Sequence, residues 1–290
     1  MDEKSSDLTV FETPFGRYKF NRLAFGLSVS PEEFKRKLNE ALSGLQGIAI
    51  IADDVLVYGR GDSTDEAKRD HDRNLIALLK RCREKGICLN PNKFKLHLPS
   101  VKYMGHILSE NGLQPDPQKV EAIDRMPEPT DIQGVQRITG VINYLGRFVP
   151  NLSEKLEPLR SLTRADSEFV WNADIHGKAF AEVKQILRSE PVLKYFDSSK
   201  PTVLQCDSSQ NGLGATLIQG GLPVAYASRA LTSTEKNYAQ IEKELQAIVF
   251  GFEKFHTFIY GRQSSVCCET DHKPLISIFS KTLCNAPRHL

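Results

Sequence analysis

Gly47-Ile48-Ala49-Ile50-Ile51-Ala52-Asp53-Asp54-Val55-Leu56-Val57-Tyr58-Gly59 sets two adjacent aspartates in the middle of an otherwise apolar run. The β-branched content and the glycine at each end read as a strand, a sharp turn and a second strand. Two like charges side by side and half-desolvated are costly unless something compensates them. The usual compensation is a divalent cation, and Mg²⁺ prefers one or two carboxylates plus substrate phosphates. On the dipeptide alone, a plain hairpin turn is the slightly better reading, because Asp is a good turn residue. The surrounding sequence reverses that order.

The chain has 290 residues, enough for two domains with a core each. A net charge of only +2 argues neither for nor against a nucleic-acid partner, so any basic surface has to be local. The six cysteines form no C-x-x-C pair, and Cys267 and Cys268 are adjacent. That pattern fits a reduced, intracellular setting, cytoplasmic or nuclear rather than secreted. There is no signal-peptide pattern, and no apolar run approaches membrane-spanning length.

Along the chain, Leu8 to Phe11 and Tyr18 to Phe20 read as a hairpin through Thr13-Pro14-Phe15-Gly16. A helix is expected from Ser30, with Pro31 at its first position and Glu32-Glu33 in its first turn. A second helix starts near Ser63 to Asp65 and stops at Gly86. Residues 102 to 114 read as another hairpin, with Asn111-Gly112 as its turn. The chain from Asp116 to Pro191 reads as mainly helical. Three short strands follow (202–206, 213–219, 223–228), then a long helix from about Ser233 to Tyr260 and a strand at 266–270. A domain boundary is expected near 195.

That last part carries a second set of acids. Asp207 and Asp271 end strands, and Glu244 stands on the margin of a helix face carrying Ile241, Leu245 and Ile248. Taken singly, each is best read as a surface or capping residue. Taken together in this strand-strand-strand-helix-strand order, they point to a two-metal phosphodiester site.

Several motifs in order resemble the Pol polyprotein of Ty3/Gypsy-type long-terminal-repeat retrotransposons, over nearly the whole chain. Thr13-Pro14-Phe15-Gly16-Arg17-Tyr18 and Leu23-Ala24-Phe25-Gly26-Leu27 look like the approach to a reverse-transcriptase nucleotide pocket, with Ala24 where the family usually has Pro. Ala52-Asp53-Asp54 matches the polymerase signature, and Tyr103-Met104-Gly105-His106 looks like the hairpin that grips a primer. Asn143-Tyr144-Leu145-Gly146-Arg147-Phe148 and Phe169-Val170-Trp171 resemble the thumb. Cys206-Asp207-Ser208-Ser209, Glu244-Leu245-Gln246-Ala247 and Thr270-Asp271-His272-Lys273-Pro274-Leu275 resemble the ribonuclease H metal acids.

The resemblance implies an α+β and α/β chain. Residues 1–125 would be part of the fingers and palm, 126–194 a helical thumb or connection, and 195–290 an RNase H-like mixed sheet with helices, incomplete at its C-terminus. It implies an RNA-directed DNA polymerase and a ribonuclease H using Mg²⁺ or Mn²⁺, with RNA/DNA hybrid, primer-template and dNTPs as partners. Asp53, Asp54, Asp207, Glu244 and Asp271 would be the catalytic, metal-holding acids. Phe25 and Gly26 would border the nucleotide, Met104 and Gly105 would seat the primer, and His272 would be an accessory group. Two departures stand out. The first of the palm's three aspartates and the fourth ribonuclease H acid have no counterpart in the sequence, so impaired chemistry is expected. A non-catalytic nucleic-acid-binding remnant is the competing expectation.

Overall fold

The protein is described by a computed structural model covering residues 1–164, 168–189, 191–262 and 265–279. It divides into two compact units, Met1–Leu98 and Pro99–Leu290.

In the first unit, a short helix α1 (Glu3–Asp7), capped by the Asp2 carboxylate, precedes a small hairpin of β1 (Phe11–Thr13) and β2 (Gly16–Tyr18). The expected strand at Leu8 thus begins three residues later, because Thr9 and Ser6 are tied into the end of α1. Helix α2 (Ser30–Ala41) starts on Pro31 as expected. The aspartate segment forms β3 (Ile48–Ile51) and β4 (Asp54–Val57), antiparallel, with Ile51 opposite Asp54. Helix α3 (Thr64–Lys85) is capped by Ser63 at its start and by left-handed Gly86 at its end. Ile48 and Ile50 face the same side as Val57 and Val55, their cross-strand partners. All four pack against Leu38 of α2, Leu42 just after it, and Leu78 and Cys82 of α3.

The second unit opens on a meander of β5 (Ser100–Tyr103), β6 (His106–Ser109) and β7 (Gly112–Pro115). Turn signals alone suggest one turn here, at Asn111-Gly112, while the family resemblance also marks a hairpin at Tyr103-Met104-Gly105-His106. A second one at Met104-Gly105 splits the first arm, since Met104 takes a positive φ that its side chain does not advertise. Helices α4 (Pro117–Asp124), α5 (Ile132–Tyr144), α6 (Leu152–Lys155), α7 (Glu157–Ser161) and α8 (Lys178–Arg188) enclose one apolar core. Val135, Ile142, Leu145, Phe148, Val183 and Leu187 are fully buried in it. Leu113 and Leu193 exchange both backbone hydrogen bonds (2.8 and 2.9 Å), tying the two ends of this helical stretch together.

A four-stranded mixed sheet follows: β8 (Thr202–Ser208), β9 (Gly212–Gln219), β10 (Leu222–Ala230) and β11 (Val266–Glu269), in the order β10-β9-β8-β11. The first three are antiparallel neighbours, and β11 runs parallel to β8. Helix α9 (Gln240–Lys254) lies on the sheet over Leu204, Cys206, Ala215 and Leu217, followed by α10 (His256–Ile259) and α11 (Lys273–Phe279). The α+β architecture expected from sequence is therefore present. The long helix is shorter than expected, starting at Gln240 instead of Ser233. Arg229 holds Glu235 in a two-pronged ion pair (2.8 and 2.9 Å) and the Thr232 N–H donates to the same carboxylate, which fixes a tight turn. Extended Ala239 then starts α9, its N–H donating to Glu242.

This turn generates a prediction. The Arg229 hydrogen bonds hold the Glu235 carboxyl down to about 2 from an ordinary 4.5. A depressed folded-state value contributes stability above the unfolded value, and that stability is lost as pH falls through the folded one. Glu235→Gln is therefore expected to remove part of the acid sensitivity between about pH 4.5 and 2. Urea unfolding at stepped pH measures it.

Candidate active-site carboxylates

Asp207 is the penultimate residue of β8, and its side chain lies on the exposed face with Gln205. Glu244 comes from the second turn of α9 and is almost fully buried, 3% exposed. Asp271 follows the end of β11, the strand parallel to β8, and is exposed. One carboxylate oxygen from each lies within 4.8 Å of the others. The parallel pairing of Gln205 with Glu269 sets Asp207 and Asp271 at the same end of neighbouring strands.

Glu244 is held from two sides. Ser208 Oγ and Gln240 Nε2 donate to its Oε1 at 2.7 and 2.8 Å. Its other oxygen, Oε2, is buried and has no hydrogen-bond partner among the described residues. A buried carboxylate oxygen without a donor is costly, and a cation supplies what is missing. The donor set is all carboxylate oxygen, which suits a hard divalent cation. Beside Asp207 and Asp271 runs an open cleft of about 610 Å³, also lined by Asn151, Gln205, Thr216 and Glu269. Ser208 and Gln240 were not singled out from sequence. Gln240 could have been, since it stands one helical turn before Glu244.

His272, the accessory candidate, is half-buried, and its backbone N–H donates to Thr270 Oγ1 at 3.2 Å. In the same sheet, Cys206 lies under α9. Its hydrogen bond with Cys268 and its burial push its thiol far above the usual range.

Asp53 and Asp54 occupy the β3–β4 turn in the first unit, and both are exposed. Ala52 enters that turn with a left-handed φ of 53°. Among the described residues, no third acid, histidine or cysteine groups with the pair. In the same unit Phe25 is fully exposed and Gly26 has a φ of 87°, while Ser30 Oγ donates to the carbonyl of buried Ala24. Met104 and Gly105, in the second unit, form the β5–β6 turn with φ of 50° and 73°. Tyr144 Oη donates to the Met104 carbonyl at 3.1 Å, and Lys119 Nζ sits 3.7 Å over the Tyr144 ring. His106 also stacks on that ring, and burial holds its imidazole below the usual range.

Gly105 thus has a demand within this chain. A Cβ there would lie 2.4 Å from Tyr144 Oη and 2.5 Å from Lys119 Nζ. Both are ends of flexible side chains and can yield, whereas the φ cannot. Gly105→Ala is expected to cost about 1–2 kcal/mol, the left-handed penalty. Adding Tyr144→Phe should not restore it, and denaturant unfolding of the two variants checks both points.

Residues 1–108 match the family described as reverse transcriptase (RNA-dependent DNA polymerase), and residues 171–266 match the RNase H-like domain found in reverse transcriptase. Among curated relatives, the retrovirus-related Pol polyprotein from transposon 412 of Drosophila melanogaster is 34% identical, covering 97% of this chain and 22% of its own length. That from transposon gypsy of the same organism is 32% identical (94% of this chain, 28% of the relative). The Tf2-3 polyprotein of Schizosaccharomyces pombe is 26% identical (92% and 20%). The chain therefore spans about a quarter of the length of these relatives. Among solved structures, the foamy viral protease-reverse transcriptase in complex with RNA/DNA hybrid aligns with a TM-score of 0.79 at 24% identity, over 93% of this chain and 36% of that one. The same protein in complex with dsDNA gives 0.81 at 23% identity, over 99% and 59%. These two share the fold. By these matches, residues 1–108 carry a reverse-transcriptase segment and residues 171–266 an RNase H-like domain, and the chain is similar over nearly its whole length to part of the retrovirus-related Pol polyproteins of gypsy-type transposons.

Proposed function

We propose that this chain contributes a metal-dependent phosphodiesterase centre acting on RNA/DNA hybrid, formed by Asp207, Glu244 and Asp271. The observation that carries it is the convergence of three carboxylates within 4.8 Å of one another, one of them the buried Glu244, which keeps one oxygen without a hydrogen-bond partner among the described residues. Mg²⁺ or Mn²⁺ held there would activate water and stabilise the leaving oxygen. Asp207 and Asp271, exposed on the cleft, would meet the scissile phosphate, a reading their exposure supports. Ser208 and Gln240 lock the Glu244 rotamer, so its free oxygen stays aimed without further ordering. Asn151 and Gln205, on the cleft wall, offer donors to a backbone strand.

In the polymerase segment, Asp53 and Asp54 are proposed as metal-holding acids for nucleotide addition to a primer-template. Phe25 and Gly26 would lie at the nucleotide, and Met104 and Gly105 at the primer. Exposure of Asp53, Asp54 and Phe25 supports contact with a ligand. A working polymerase centre needs a further carboxylate beside the pair, and none of the described residues supplies it. The isolated chain is therefore expected to add nucleotides poorly. By role, the divisions proposed are fingers and palm to 125, thumb or connection to 194, and the nuclease domain thereafter. These cut across the compact units, since the β5–β7 meander packs with the helices that follow it.

The foamy viral relatives were solved on RNA/DNA hybrid and on dsDNA, which supports the same class of partner here. No helix among the described residues is long and apolar enough to cross a membrane. The five described cysteines are free, which supports a reducing compartment, and Cys284 lies outside the described residues.

The test is cleavage of a labelled RNA/DNA hybrid with Mg²⁺ or Mn²⁺. Asp207→Asn is expected to lower the rate by at least about 100-fold while leaving hybrid binding within a few-fold. Equal cleavage by both proteins sinks the assignment. Hybrid binding with a steep salt dependence and no cleavage by either protein would make the chain a binding module.

A further inference from the structure

Apart from both acid sets, the first unit gathers His71, Asp72 and His97. His71 and Asp72 are consecutive in α3, and His97 lies on the segment after it. His71 Nδ1 and His97 Nε2 lie 3.0 and 2.6 Å from the same oxygen, Asp72 Oδ1. One ligand atom from each residue lies within 4.8 Å of the others, as in the carboxylate trio. The two imidazoles meet edge to face with centroids 5.0 Å apart.

The helical pair sits on a fixed platform. Arg60 N–H donates to Asp70, and Asn74 Nδ2 donates to the Tyr58 carbonyl. Gly59 lies so close to α3 that a Cβ there would meet the Ala67 carbonyl at 1.9 Å and the His71 nitrogen at 2.5 Å. The other arm is less regular: His97 takes a left-handed φ of 51°, unusual for a side chain of its size. The backbone turns the wrong way at the residue that reaches the pair.

We propose that His71, Asp72 and His97 form a binding site for a zinc-class divalent transition metal. Two imidazoles and one carboxylate are a nitrogen-rich donor set that suits zinc and its neighbours and is poor for Mg²⁺. In a tetrahedral zinc site, ligand atoms about 2.0–2.1 Å from the metal stand roughly 3.3 Å apart. The 3.0 and 2.6 Å separations need to open by about 0.3 and 0.7 Å to reach that spacing. Binding moves each neutral imidazole's proton to its other ring nitrogen, and the metal replaces the shared contact at Asp72. Asp72 and His97 are partly exposed (side chains 49% and 37%), which leaves a fourth position open to water or to a donor from another molecule. The metal would clip the segment that ends the first unit onto α3. It would thereby stabilise the polymerase segment without entering its chemistry.

The test is uptake of Zn²⁺ by the full chain in a large excess of Mg²⁺, which occupies the oxygen-only site. Co²⁺ absorption is recorded in parallel to separate imidazole and carboxylate ligation from thiolate ligation, and each melt is compared with its own melt in chelator. The proposal expects the wild type to bind one Zn²⁺, to give cobalt bands without a thiolate band, and to melt higher with metal. His71→Ala and His97→Ala should each weaken uptake by more than roughly 100-fold, beyond what losing a group that only supports a ligand does. Asp207→Asn should bind like wild type. If an alanine variant fails to fold, His97→Gln supplies the same comparison. No uptake by wild type overturns the proposal and leaves a hydrogen-bonded clasp, as does uptake unchanged in the histidine variants.

Discussion

Holding Asp207, Glu244 and Asp271 with their ligand oxygens within 4.8 Å sets charges of one sign against each other. At an effective dielectric near 20, each pair at that distance repels by about 3.5 kcal/mol. The scaffold has to withstand this before any cation arrives. It does so by close packing. A Cβ at Gly251 would lie 2.9 Å from Cys206 Sγ and 3.2 Å from both Leu204 Cδ1 and Ala215 Cβ, so the glycine lets α9 settle directly onto β8 and β9. Buried Leu204, Leu213, Leu217, Ala247 and Ile248 hold that contact, and Glu244 is carried inward with the helix. Once there, it cannot retreat to water.

Packing and chemistry are thus joined at one helix. The residues that make α9 amphipathic also deliver Glu244, and the residue one turn before it, Gln240, helps to satisfy it. Across the sheet, parallel pairing of β8 with β11 fixes the spacing of the two exposed acids. A slip of one residue in that pairing would send Asp271 to the other face.

Much of this was legible in the sequence. Helix α3 announced itself by Ser63 and Gly86, and α2 by Pro31, because capping chemistry is local. The first three strands of the mixed sheet showed as short runs joined by Gly-rich turns. Where the sequence misled, longer-range contacts decided. The turn at Met104-Gly105 depends on Tyr144 and Lys119, some forty and fourteen positions away, and no periodicity reports them. The late start of α9 depends on Arg229 reaching Glu235. The carboxylate trio could be guessed from spacing and family likeness, but the unpartnered Glu244 oxygen could not. The histidine pair was invisible, since His71 and His97 meet only when the chain after α3 folds back along it.

The paired backbones of Leu113 and Leu193 bear on how the second unit assembles. They close a loop of roughly 80 residues, whose length alone costs about 4 kcal/mol in chain entropy. Two hydrogen bonds, worth about 1 kcal/mol each, cannot hold such a loop shut by themselves. The closure must ride on the collapse of Val135, Ile142, Phe148, Val183 and Leu187 between its ends. The bridge is therefore a late event in folding and an early one in unfolding. Because β8 begins nine residues beyond Leu193, the same closure ties the start of the mixed sheet to the helical core.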